Sequence, residues 1–240
     1  MAAKNLTMTF NFFSIMKISA FISDLDGTLL DVRERSIQAH VQAFQHIGYE
    51  VQTDQVRLYF YHSFDVKELL RRLNIVLEEA EFAQYIEGFR KAFFGNWQAS
   101  QVIPGVFEAL ELLQDHSGYL RLITSRHAIE ATRREVRHFG LSKFFDSIFT
   151  LGDLAKSENQ KKIPLFPYLP QRRRLLQLAL QGVELNGSVW VLGDAPGELE
   201  AAKSFGYKTI GVLTGHGTKD SLTPFADYIL DSVAEIVQLI

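Results

Sequence analysis

Six short stretches of this chain are apolar and almost unbroken: Ile18–Asp24, Tyr119–Thr124, Ser147–Thr150, Ser188–Gly193, Lys208–Leu213 and Tyr228–Leu230. A strand with one wet face alternates apolar and polar residues, whereas a strand covered on both faces does not. These runs therefore belong to a parallel sheet with helices packed on each side. The segments between them carry helical spacing. Val106, Ala109, Leu110 and Leu113 follow Pro104, which suits an early helical position. Ile129, Val136 and Phe139 repeat the pattern up to Gly140, Leu175, Leu178 and Ala179 up to Gly182, and Leu199, Ala202 and Phe205 up to Gly206. Ser232 and Glu235 are spaced as a capping box ahead of Ile236 and Leu239. Strand and helix alternate, so the fold class is α/β.

One segment breaks the alternation. Between the first and second strands, Ile37, Val41, Phe44 and Ile47 make one helical face, and Val66, Leu69, Leu70 and Leu73 a second. Phe82, Tyr85, Ile86, Phe89 and Phe93 make a third. Residues 33–101 thus read as an all-helical insertion, and residues 17–32 with 102–240 as one discontinuous core. Residues 1–16 hold all three methionines (Met1, Met8, Met16), and polar residues interrupt their apolar ones. A signal peptide needs an unbroken apolar stretch. The expectation is a disordered extension, or a true start at Met16.

Composition removes several classes of function. With 25 Lys+Arg against 28 Asp+Glu the net charge is −3, which disfavours nucleic acid as a partner. The chain has no Cys, so disulfides, thiolate metal sites and a cysteine nucleophile are excluded. No apolar run reaches the roughly 18 residues a membrane helix needs. A cytoplasmic protein, monomer or homodimer, is the resulting expectation.

In an open parallel sheet, ligands bind beyond the carboxyl ends of the strands. The first strand ends in Asp24-Leu25-Asp26-Gly27-Thr28-Leu29-Leu30-Asp31, the second in Thr124-Ser125, and a later one in Gly193-Asp194 with Glu198 four positions on. A transferred phosphoryl group is anionic, so a carboxylate can attack it only when a cation screens the repulsion. Mg²⁺ takes oxygen ligands and uses one or two carboxylates. Asp24 and Asp194 suit that role, with the Asp26 backbone carbonyl as a third ligand. Asp24 would attack phosphorus to give an aspartyl-phosphate. Asp26 would protonate the leaving oxygen and later deprotonate the hydrolytic water. Gly27 allows the sharp turn, and Thr124 with neighbouring amides would hold the phosphoryl oxygens.

These residues carry a resemblance. Asp24 to Asp31 after an apolar strand resembles the first motif of the haloacid dehalogenase superfamily. Leu122-Ile123-Thr124-Ser125 resembles its second, and Gly193 to Glu198 followed by Ala201-Ala202 its fourth. Gly211 to Gly217, Ala226-Asp227-Tyr228, Pro104-Gly105-Val106 and the helical insertion are similar to the phosphoglycolate-phosphatase-like branch. The resemblance covers residues 17–240. It implies a Rossmann-like core with a helical cap, and a Mg²⁺-dependent phosphatase acting on a small phosphorylated metabolite. On that reading Asp24 is the nucleophile and Asp26 the acid/base. Thr124, Ser125, Gly27 and Arg126 bind substrate, and Asp24, Asp26, Asp194 and Glu198 hold the metal. A phosphosugar mutase and a non-catalytic binding protein of the same fold are the alternatives.

The sequence departs from the family pattern twice. The second Asp of the fourth motif is here Glu198, one methylene longer. The family's third motif, a Lys ahead of the helix preceding the fourth, has no clean match. Lys162 is the first choice, then Lys161 and Lys156. The basic clusters Arg133, Arg134, Arg137 and Arg172–Arg174 are read as solvated helix faces. His62, Ser63 and Lys67 lie near a cap loop where this branch keeps specificity contacts.

Overall fold

The structure is a computed structural model and describes residues 18–60, 66–161, 163 and 168–240. The expectations for residues 1–16, His62, Ser63 and Lys162 lie outside the described residues. The apolar runs become the strands β1 (Ile18–Ser23), β4 (Leu120–Thr124), β5 (Ser147–Thr150), β6 (Ser188–Gly193), β7 (Lys208–Val212) and β8 (Tyr228–Leu230). They form one parallel sheet in the order β5-β4-β1-β6-β7-β8.

The unbroken apolar character of these strands has a visible cause. Phe21, Leu122, Trp190, Leu192 and Ile210 point to one buried layer, while Ala20, Ile22, Ile123, Val189 and Val191 point to another. The first layer is closed by α5 (Val106–His116) and α6 (Ile129–His138), the second by α7 (Leu151–Ser157), α8 (Tyr168–Ala179) and α9 (Pro196–Lys203). A short α10 (Lys219–Leu222) follows β7. Every residue of β1 is buried, as a central strand of a three-layer sandwich must be.

Helices α1 (Arg33–His46), α2 (Thr53–Phe60), α3 (Val66–Arg72) and α4 (Glu79–Gly95) occupy the stretch that broke the alternation. They have a core of their own, built on Ile37, Phe44, Val56, Leu70 and Tyr85. Two strands of two residues each, β2 (Leu30–Asp31) and β3 (Gln101–Val102), pair antiparallel at its base. The chain therefore enters and leaves this helical unit side by side. No periodicity can announce strands so short.

Local readings are corrected in four places. Pro104 stands outside α5, because Gly105 takes a left-handed conformation (φ 80°) as the N-cap. Helix α8 begins at Tyr168, so Pro170 sits in its first turn, where amide hydrogens have no intrahelical acceptor anyway. Helix α7 lies where no helix was expected, started by a capping box between Thr150 and Asp153. The final helix is a 3₁₀ turn, Val233–Gln238: Ser232 accepts from the Ala234 amide, but Glu235 takes the amide of Asp231 instead of completing a box.

Candidate active site

The sheet order places β1 between β4 and β6, so successive crossovers leave β1 in opposite directions and open a crevice at its carboxyl end. Asp24 follows β1, Thr124 ends β4 and Asp194 follows β6. The three strand ends nominated from the sequence are thus adjacent. Asp24, Asp194 and Glu198 are all buried, and one carboxylate oxygen from each lies within 4.8 Å of the others. Glu198 reaches the cluster from the first turn of α9.

The loop after β7 closes over Asp194. The His216 amide donates to Asp194 Oδ2 at 2.7 Å, the Gly217 amide to the Asp194 carbonyl at 2.8 Å, and the Thr214 hydroxyl to the Gly27 carbonyl at 2.6 Å. Gly27 needs its positive φ of 79°, and a Cβ there would come within 2.5 Å of Asp194 Oδ2. A Cβ on Gly215 would overlap the same carboxylate. Glycine at both positions is what lets two loops approach Asp194 this closely.

The electrostatics of the cluster are one-sided. Burial, then Glu198, push the Asp24 carboxyl well above the usual range. Burial and Glu198 likewise raise Asp194 to about 7, and burial raises Glu198. Oε2 of Glu198 is buried with no hydrogen-bond partner. Desolvated carboxylates that repel one another need positive charge. An oxygen-rich donor set with a spare buried oxygen fits a hard divalent cation such as Mg²⁺.

One cation already reaches the cluster, and the sequence reading misplaced it. Arg172 was assigned to a solvated face, yet it is 4% exposed. Its guanidinium pairs with Glu198 Oε1, and Nη1 lies 3.6 Å from Asp24 Oδ1. Its neighbours do follow the surface reading: Arg173 is exposed over the Phe205 ring and Arg174 pairs with Glu158 at 2.8 Å. The available signal was position, since Arg172 shares the inward face of α8 with Leu175, Leu176 and Ala179. Lys156 and Lys161 are exposed. Lys67 is exposed on α3.

Asp26 points to a second group of charges. Arg126 donates to it twice, Nε to Oδ2 at 2.8 Å and Nη2 to Oδ1 at 2.5 Å. The other side of the same guanidinium binds Glu135 at 2.8 and 3.0 Å. Burial pulls the Arg126 pKa down, but Asp26 and Glu135 outweigh it and raise it. Thr124 is buried, and its Oγ1 accepts from the Arg126 amide at 3.3 Å. Ser125 is half-buried at the same rim. Glu135, His216 and Arg35 were not singled out from the sequence. Glu135 and Arg35 stand at buried register positions of α6 and α1, and a charge on an apolar face is the signal that was available.

The sequence model of the haloacid dehalogenase-like hydrolases matches residues 21–212. The chain belongs to that family. A phosphoglycolate phosphatase of Vibrio parahaemolyticus is 25% identical to it over 236 residues, covering 94% of this chain and 96% of that protein. The pyrophosphatase PpaX of Halalkalibacterium halodurans is 22% identical over 234 residues, covering 94% and 98%. Among solved structures, a haloacid dehalogenase-like family hydrolase from Streptococcus pneumoniae superposes with a TM-score of 0.71 at 18% identity, covering 92% of this chain and 98% of that one. That superposition shares the α/β core fold. Among the described residues no helix is long and apolar enough to cross a membrane.

Proposed function

We propose that this hydrolase is a Mg²⁺-dependent phosphatase of a small phosphorylated metabolite, acting through an aspartyl-phosphate on Asp24. The observation that carries the reading is the buried triad of Asp24, Asp194 and Glu198 at adjoining strand ends, with Asp26 two residues after Asp24. The names of the relatives agree with it: both act on phosphate groups in small molecules.

Asp24, Asp194 and Glu198 would hold the metal, together with the Asp26 carbonyl. Mg²⁺ there would neutralise phosphoryl oxygens and the carboxylate that approaches them. Asp24 Oδ forms a bond to phosphorus as the ester P–O bond breaks, and Asp26 gives its proton to the leaving oxygen. Asp26 then takes a proton from the water that cleaves the Asp24 phosphate. Thr124 Oγ1 and the amides of residues 125 and 126, at the end of the strand that pairs with β1, would orient the phosphoryl oxygens. Arg172, paired with Glu198, would supply fixed positive charge beside Asp24. Helices α1–α4 would act as a cap that excludes bulk water.

Hydrolysis of a panel of phosphate monoesters, with and without Mg²⁺, tests the proposal. Activity is expected only with the metal, and Asp24→Asn should reduce it to background. Undiminished turnover by Asp24→Asn would remove the nucleophile assignment.

A further inference from the structure

Arg126 does not stand alone between Asp26 and Glu135. Glu135 Oε1 also accepts from Arg35 Nη1 at 2.5 Å, deep in the protein, where the two side chains are 0% and 2% exposed. Arg35 lies in the first turn of α1. Its Nε donates to the Phe93 carbonyl near the end of α4, and its Nη1 to Ser100 Oγ at 3.1 Å, one residue before β3. The Phe93 ring lies under both guanidinium groups, 3.7 Å from that of Arg35 and 5.3 Å from that of Arg126. The result is a line of alternating charges, buried at Arg35, Glu135 and Arg126 and partly exposed at Asp26. It starts where the chain enters and leaves the helical unit and ends on the acid/base.

The backbone at Asp26 is already fixed by other means. Leu29 and Leu30 amides both donate to the Leu25 carbonyl (2.9 and 3.0 Å), and the Gly27 amide donates to the Leu30 carbonyl at 2.8 Å. What remains free is the direction of the Asp26 side chain: in its ionised form both oxygens accept from Arg126, and as the acid it would keep one oxygen on the guanidinium and offer its O–H to the leaving oxygen. Arg126 is in turn gripped through a forked pair, the geometry that best fixes orientation. Arg35, Glu135 and Arg126 are buried while Asp26 is partly exposed, and moving one of the buried charges leaves another uncompensated.

We infer that Glu135 and Arg35 are positioning residues: with Arg126 they set the aim of the Asp26 carboxylate from the base of the helical unit. Neither touches the reacting atoms. The inference rests on the reading of Asp26 as the proton donor and acceptor of a phosphatase. Their effect should appear where proton donation matters. An alkyl phosphate expels a poor leaving group and needs the proton from Asp26; 4-nitrophenyl phosphate expels a good one and needs it far less. The ratio of kcat/KM for the two esters isolates this step, because kcat/KM ends at transfer of the phosphoryl group to Asp24.

The experiment measures that ratio for the wild type, Asp26→Asn, Glu135→Gln and Arg35→Lys, with melting temperatures recorded alongside. Asp26→Asn sets the scale, with an alkyl-specific loss of about 10²-fold or more. Arg35→Lys keeps its charge but loses the fork, and should lower the alkyl value about tenfold while the aryl value stays within about threefold. Glu135→Gln should do the same more strongly; if it fails to fold, Arg35→Lys decides alone. An unchanged ratio in the folded variants, or equal losses on both esters, overturns the inference and leaves the phosphatase reading intact. A wild type without turnover on any ester overturns both.

Discussion

Two groups of buried charges meet at the mouth of the crevice, and they are balanced differently. Around Asp24, three carboxylates lie together and, among the described residues, the guanidinium of Arg172 pairs with Glu198 and lies beside Asp24, while Asp24 and Asp194 are raised by burial and by Glu198. Around Asp26, two carboxylates alternate with two guanidinium groups and the charges cancel. Burying an ion without its partner costs several kcal/mol. A fold that leaves one cluster short of positive charge has kept it for something that binds. A fold that closes the neighbouring cluster has used it to hold geometry. Among the described residues, the charge sums thus separate the carboxylate cluster from the group that holds the Asp26 side chain.

The largest effect expected is the loss of turnover in Asp24→Asn. Next comes Arg172, whose guanidinium pairs with Glu198 and lies beside Asp24. Arg172→Ala should lower kcat for a phosphate ester by about 10²–10³-fold, the usual loss when a preorganised charge is removed from a transition state. Arg172→Lys restores charge without the fork and should fall between the two. A kcat for Arg172→Ala within a few-fold of the wild type would mean that Arg172 serves only to neutralise Glu198.

This residue also shows where sequence reasoning stops. The sheet was legible because burial on both faces removes charged residues from Ile18–Ser23 and Ser188–Gly193. The carboxylates were legible because strand ends are set by strand positions, so Asp24 and Asp194 had to lie on one rim. Arg172 was not, because its place depends on how α8 lies against α9 and β1. A run of three arginines looks like a wet surface until one of them is known to point inward. The chain Arg35–Glu135–Arg126 was hidden for the same reason: Arg35 and Glu135 are 100 positions apart. Strands β2 and β3 were too short to carry a period.

The two clusters should also respond differently to metal. A ligand present at a hundred times its Kd stabilises a protein by about 2.7 kcal/mol, which for a chain of this size is about 5–10 °C in melting temperature. Mg²⁺ should produce a shift of that order in the wild type. Asp194→Asn should abolish it, since it removes a donor from the cluster short of positive charge. Arg35→Lys should leave it in place, since it changes none of the three carboxylates of the other cluster. A shift that survives in Asp194→Asn would break the comparison.

The last expected effect is a dependence on pH in metal-free protein, over pH 5 to 7 at most comparable with the Mg²⁺ shift. Asp194 titrates at about 7 in the fold, against about 3.9 for an unperturbed Asp. Between those values the native state holds a proton that the unfolded chain has lost, so stability falls as pH rises. The penalty is absent below the unfolded value and complete above about 7. One such proton changes stability by at most about 1.4 kcal/mol per pH unit, or about 3–5 °C, and coupling with Asp24 and Glu198 spreads the change over a wider range. Melting temperatures of chelator-treated wild type should therefore decline from pH 5 to 7, and Asp194→Asn should decline less. Saturating Mg²⁺ should flatten the wild-type curve, because the cation replaces the proton as the partner of these carboxylates. A chelated wild type whose melting temperature declines no more steeply than that of Asp194→Asn would show that Arg172 alone satisfies the cluster.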